Sequence, residues 1–223
     1  MGRIVSGHEL SKNARRIAQI EIVEAYRTAF KQGWERITSG FVDWLAASGV
    51  TPNQVSIAGL LISIASAPLL ACGWLTLGGW VLTVGSVSDS IDGALARRTG
   101  SFSEVGAFLD STFDRIGEGV ALAGVAILLA REGNDLAVGA IVLGLLGGSV
   151  TSYVRARAES LGIECTVGWF ARTERMLLVC SLLIFRLPVL MAYLLAIATC
   201  ITACQRIWHV HAALANSTRS KSV

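Results

Sequence analysis

Asp89, Asp92, Asp110 and Asp114 lie close together in a chain whose flanking stretches are almost free of charge. Asp89 and Asp92 are three residues apart and share one helix face, and Asp110 and Asp114, four apart, share another. Thr99-Gly100-Ser101 is a short polar break between the pairs, so the two helices are expected to be antiparallel neighbours. At a rise of about 1.5 Å per residue both pairs sit at a similar depth, about 10–20 Å from that break. Four carboxylates are therefore expected to converge. Like charges at close range, away from bulk water, cannot all stay ionised without cations. Carboxylates facing a polyphosphate suit Mg2+ or Mn2+, hard ions that prefer oxygen, and the cluster would form a two-ion site able to hold a pyrophosphate. Gly93 and Ala96 leave room beside the first pair, Arg97 lies one turn beyond Gly93, and Gly106 lies one turn before Asp110. A bulky nucleotide could lie against that surface. A salt-bridge network with Arg97, Arg98 and Arg115 is the structural alternative. Acids at such depth usually mark function.

The elements that must carry these residues follow from hydropathy. The chain has 223 residues, 53% of them hydrophobic and 16% charged, with a mean hydropathy of +0.59. A soluble domain carries about a quarter charged residues. Asn53 to Ser88, Leu136 to Val154 and Leu187 to Gln205 contain no charged residue. A membrane span needs roughly 20 such residues. The reading is an all-α, polytopic membrane protein with six transmembrane helices, near 52–72, 75–98, 104–131, 135–160, 172–187 and 189–212. Cys72-Gly73, Thr99-Gly100, Glu132-Gly133-Asn134 and Leu187-Pro188 supply the breaks.

Before the first span, Ile22, Tyr26, Phe30, Trp34, Ile37, Phe41 and Trp44 recur every three or four residues, with charges between them. This predicts an amphipathic helix lying in the membrane interface. The expected organisation is a tail and juxtamembrane helix over 1–48, a six-helix domain over 49–212 and a frayed tail over 213–223. No apolar leader precedes the first span, so no signal peptide is expected. Arg97, Arg98, Arg155, Arg157, Arg172, Arg175, Arg206, Arg219 and Lys221 fall on one side with the N-terminal segment, and Arg131 and Arg186 on the other. The first side is therefore expected to be cytoplasmic, holding both termini and the acidic cluster. The five cysteines lack metal or disulfide spacing and read as packing residues. The net charge of +3 says little by itself, and no nucleic-acid partner is expected. A cation path would spread charge across the bilayer depth, whereas here nothing ionisable fills the middle of the opposite half.

The stretch from Asp89 to Asp114 reads D-x2-D-G-x2-A-R-x8-G-x3-D-x3-D, with every fixed position filled. It resembles the signature of the CDP-alcohol phosphatidyltransferases. The resemblance implies six transmembrane helices, usually a homodimer, and a cytoplasm-facing metal site at which an alcohol displaces CMP from a CDP-linked lipid. By this resemblance Asp89, Asp92, Asp110 and Asp114 are metal ligands and Asp114 is also the general base. Asp92, Gly93, Ala96, Arg97 and Gly106 contact the CDP-lipid. Asn53, in "TPNQVS", helps hold the nucleotide.

The acceptor is read from the second half. Arg155, Arg157, Arg172, Arg175 and Arg206 are more cations than one diphosphate needs beside two metal ions, so an acceptor that itself carries a phosphate is expected. The pattern "SYVRARAE", "ER" and "QR" resembles the phosphatidylinositol phosphate synthase branch of that family. There CDP-diacylglycerol, or an archaeol-based CDP-lipid, is joined to inositol 1-phosphate. The resemblance implies that Arg155, Arg175 and Arg206 hold the inositol phosphate. Phosphatidylglycerophosphate synthase, which uses glycerol 3-phosphate, is the rival. The expected site of action is the cell (plasma) membrane.

Overall fold

The structure is a computed structural model that describes residue 33 and residues 37–221. The described residues form seven helices and no strand. They are α1 (residues 37–47), α2 (Pro52–Ala71), α3 (Leu75–Thr99), α4 (Glu104–Arg131), α5 (Asp135–Ser160), α6 (Arg172–Ile184) and α7 (Pro188–Lys221). α2, α5 and residues Pro188–Ala215 of α7 are long and apolar enough to cross a membrane. α3 and α4 are as long but carry the acids and arginines. Large apolar side chains such as Leu61, Val142, Leu146 and Ile197 point outward. An apolar exterior of this kind suits lipid, and the packed interior lies between the helices, around Leu70, Leu122, Val125, Leu183 and Leu195.

Helix limits follow local chemistry. Thr51 caps α2 through a capping box: its Oγ1 accepts from the Gln54 N–H at 3.4 Å, and its own N–H donates to Gln54 Oε1 at 2.9 Å. Pro52 fills the first turn, where its missing N–H costs nothing. Gly100, with φ +65°, ends α3 in the left-handed conformation. Ser103 then caps α4, accepting from the Gly106 N–H at 3.0 Å.

Two limits differ from expectation. α6 ends at Ile184, after 13 residues, not at 187. Proline disfavours helix at the residue before it, and Arg186 sits at φ +60°, so the turn into Pro188 starts three residues early. At about 1.5 Å per residue α6 is about 20 Å long, shorter than a bilayer core. The expected frayed tail is instead helical as far as Lys221, because no glycine or proline follows Pro188 to stop α7.

α2 is the centre of the first half. Both α3 and α4 pack along it, while α3 and α4 barely touch each other. The expectation that they would be direct neighbours is therefore corrected: they meet through α2. Small residues allow the approach. A Cβ on Gly85 would lie 2.9 Å from the Gly59 carbonyl oxygen, and one on Gly124 would lie 3.0 Å from Ala67 backbone atoms. α5 and α7 pair in the same manner, with Gly144 against Leu195 and Gly147 against Thr199. α6 rests on α3 and α7.

α1 docks on the end of α3 through Val42, Leu45 and Leu95. Asp43 pairs with Arg98 at 2.7 Å. Ile37, Phe41 and Trp44 remain exposed, with the Phe41 and Trp44 rings stacked 5.8 Å apart. The other anchors expected of the amphipathic helix, Ile22, Tyr26, Phe30 and Trp34, lie outside the described residues.

Replacing Gly124 by Val should force α4 off α2 and cost about 1–3 kcal/mol. Gly139→Ala on the open face of α5, where a Cβ meets nothing within 4 Å, should not destabilise. Thermal melting in detergent checks the pair; equal midpoints would contradict the packing described.

Candidate functional site

The gap between α3 and α4 holds the acidic cluster. Each of Asp89, Asp92 and Asp110 offers a carboxylate oxygen, and these lie within 4.8 Å of one another. Asp114, one turn further along α4, lines the same cavity. α2 forms its floor with Ser56, Gly59 and Ser63. Asp92 is 5% exposed and accepts a hydrogen bond from the Ser56 hydroxyl. An all-oxygen set of converging carboxylates from two helices fits a hard divalent cation.

Beside the cluster, toward the α3–α4 turn, runs a groove of about 500 Å³ lined by Asn53, Asp92, Gly93, Ala96, Gly106 and Asp110, among others. Asn53 stands in the first turn of α2, and its Oδ1 would be 3.4 Å from a Cβ on Gly106. The N-termini of α2 and α4 both open here, and helix N-termini favour anions. Arg97 does not line this groove. It lines an adjoining cavity with Thr38, Val42, Asp43 and Arg98, and its Nη1 passes 3.7 Å from a Cβ on Gly93.

The five arginines divide. Arg172, at the start of α6, joins the acids: Nη1 donates to Asp89 at 2.6 Å, and Nη2 pairs with Asp114. Arg157 is exposed, 3.5 Å from Ser160. The other three gather along one side of α5. Arg175 is 3% exposed and lies against Gly148, where a Cβ would be 3.3 Å from its Cζ. Arg206, on α7, is 5% exposed and donates to the Thr151 and Val167 carbonyls, both at 2.9 Å. Arg155, one turn beyond Thr151, is exposed and pairs with Glu159 at 2.8 Å. Gly148, Thr151 and Arg155 are three and four apart, so they share one face of α5. Arg157, two positions on, points off that face.

Two further residues belong here that were not singled out in the sequence. Ser56 anchors Asp92. Glu118 is buried and grips Arg175 with both oxygens, at 2.5 and 2.7 Å. Its place one turn past Asp114 on the same face is visible in the spacing.

The CDP-alcohol phosphatidyltransferase profile matches residues 49–205. The chain belongs to this family. Among similar members of the family is the phosphatidylinositol phosphate synthase of Cutibacterium acnes, 41% identical over 66% of this chain and 72% of its own. Another is the archaetidylinositol phosphate synthase of Pyrococcus horikoshii, 37% identical over 82% of this chain and 93% of its own. Among solved structures of the family, the phosphatidylinositol phosphate synthase of Mycobacterium tuberculosis with CDP-DAG bound superposes with a TM-score of 0.73, at 33% identity over 78% of this chain and 94% of that one. The same enzyme in complex with manganese and citrate gives a TM-score of 0.73 at 32% identity, over 78% of this chain and 88% of that one.

Removing one of three converging carboxylates should weaken ion binding at least as much as losing an outer partner, about tenfold or more. Asp110→Asn should therefore shift a Mn2+ titration followed by electron paramagnetic resonance to at least tenfold higher concentration. An unshifted curve would show that these oxygens hold no ion.

Proposed function

We propose that this member of the family transfers the phosphatidyl group of CDP-diacylglycerol, or of an archaeol-based CDP-lipid, to inositol 1-phosphate, forming phosphatidylinositol phosphate and CMP. One observation carries the reading. A carboxylate cluster beside a small-residue groove lies within one helix packing of three arginines aligned along α5. The first arrangement suits a diphosphate with cations; the second suits a separate phosphate. The named relatives, which include a phosphatidylinositol phosphate synthase and an archaetidylinositol phosphate synthase, support the same acceptor.

In this reading Asp89, Asp92, Asp110 and Asp114 hold two Mg2+ or Mn2+ ions. The chemistry supplied by bound ions is neutralisation of the diphosphate and stabilisation of the leaving phosphate. Asn53, Gly93, Ala96, Arg97 and Gly106 accept the nucleotide, and bare glycine backbone lets it lie close. Ser56 holds the Asp92 carboxylate in place. Arg155, Arg175 and Arg206 bind the acceptor's phosphate, leaving Arg157 and Arg172 in supporting roles at the surface and at the acids. The acceptor hydroxyl attacks the lipid-linked phosphorus, the bond to the CMP oxygen breaks, and Asp114 takes the hydroxyl proton.

The six-span topology, with both termini and the active site on the cytoplasmic side of the plasma membrane, belongs to this proposal. So do the domain limits 49–212, the interfacial role of residues 1–48 and the homodimer implied by the family. Outward-facing Ile37, Phe41 and Trp44 support the interfacial role.

CMP release from CDP-diacylglycerol and CDP-archaeol tests the reading, with inositol 1-phosphate, glycerol 3-phosphate, free inositol and serine compared as acceptors. Release should require inositol 1-phosphate and a divalent cation. Asp114→Asn should lower kcat by about 10²–10⁴, the range for losing a general base. Arg155→Ala should raise the KM for inositol 1-phosphate about tenfold, as for one lost charge-assisted hydrogen bond. Release with glycerol 3-phosphate instead would keep the chemistry and overturn the acceptor.

A further inference from the structure

We propose that Glu118 is a positioning residue that fixes the acceptor-phosphate arginine Arg175 relative to the helix carrying Asp114. The inference rests on the acceptor reading above and adds to it a residue that the shared motif does not contain.

Glu118 follows Asp110 and Asp114 at four-residue intervals, so all three lie on one face of α4. It is 8% exposed, and Arg175 is 3% exposed. Arg175 Nε donates to Oε1 at 2.5 Å and Nη2 donates to Oε2 at 2.7 Å, the fork-to-fork geometry that fixes a guanidinium plane. α4 and α6 have little backbone contact with each other. Two ionic rungs cross the cavity between them, Arg172 to Asp114 and, one turn on, Arg175 to Glu118. Apolar side chains would join two helices at no greater cost than a buried ion pair. An ion pair here supplies direction instead. With Nε and Nη2 held by Glu118, Nη1 is the nitrogen left over, and the guanidinium lies against Gly148 of α5, where a Cβ would be 3.4 Å from Nη1. The acids of the cluster and the arginines of the acceptor site are thereby set at a fixed offset along α4.

The test is a double-mutant cycle on the full-length protein in detergent or liposomes, using Glu118→Gln, Arg175→Gln and the double variant. The readouts are the KM for inositol 1-phosphate, the KM for CDP-diacylglycerol and the melting midpoint. Glu118→Gln should raise the KM for inositol 1-phosphate about tenfold or more while moving the CDP-diacylglycerol KM less than about twofold. In the Arg175→Gln background the same change should add nothing, because Glu118 acts through Arg175. Proportional changes in both KM values, or a double variant whose effect is the product of the singles, would overturn the proposal. Should Glu118→Gln not fold, Glu118→Asp, which keeps the charge on a shorter arm, replaces it with the same expectations. Wild-type protein that turns over glycerol 3-phosphate and not inositol 1-phosphate would sink the acceptor assignment alone, and the cycle would be read with glycerol 3-phosphate. Turnover with no phosphorylated acceptor would overturn both.

Discussion

Two helices that present carboxylates to each other cannot pack face to face. α3 and α4 are joined by a turn of a few residues, yet they stand apart and are both clamped to α2. The clamp uses shape in place of charge. Glycines on α3 and α4 meet serine, alanine and glycine on α2, so backbones approach closely, and in lipid such contacts stand in for the missing hydrophobic drive. The acids then face a gap held open from behind. The glycines that seat α3 and α4 on α2 and the gap that the acids line are two consequences of the same arrangement.

The second half of the chain answers the charge of the first. α6 is short, and it begins where the acids are. Its first residue, Arg172, reaches Asp89 and Asp114, and its next turn delivers Arg175 to Glu118. α5 and α7 close along a glycine seam, which brings Arg206 under the carbonyls of Thr151 and Val167. Held this way, Arg206 spends two donors on backbone, and its position is determined by the α5–α7 pairing. The loop before α6 is therefore part of the arginine site through Val167.

Much of this was legible. The three- and four-residue spacings put the aspartates on helix faces, and turn residues set four helices within a residue of the structure. What was not legible depends on third elements. No spacing in α3 and α4 says that α2 intervenes. The five arginines look alike in sequence, but Arg155 and Arg157, two apart on one helix, must diverge, and Arg172 is drawn to the nearest carboxylates. Glu118 was readable as a fourth-residue continuation of Asp110 and Asp114. Its partner was not, because Arg175 lies 57 positions away on a helix that packs on α3 and α7.

The ion pairs also fix α6 against α4. Arg172 and Arg175 are one turn apart on α6, as Asp114 and Glu118 are on α4, so the two rungs keep the helices in step. A slip of one turn would offer Arg175 to Asp114 and leave Glu118 buried without a cation, a costly state in a dry interior. The acids thus act as a register mark. They hold Arg175 about 5 Å along the helix from Arg172, the arginine that faces the acid cluster. In the proposed reading this offset separates the acceptor's phosphate, at Arg175, from its attacking hydroxyl, at Asp114.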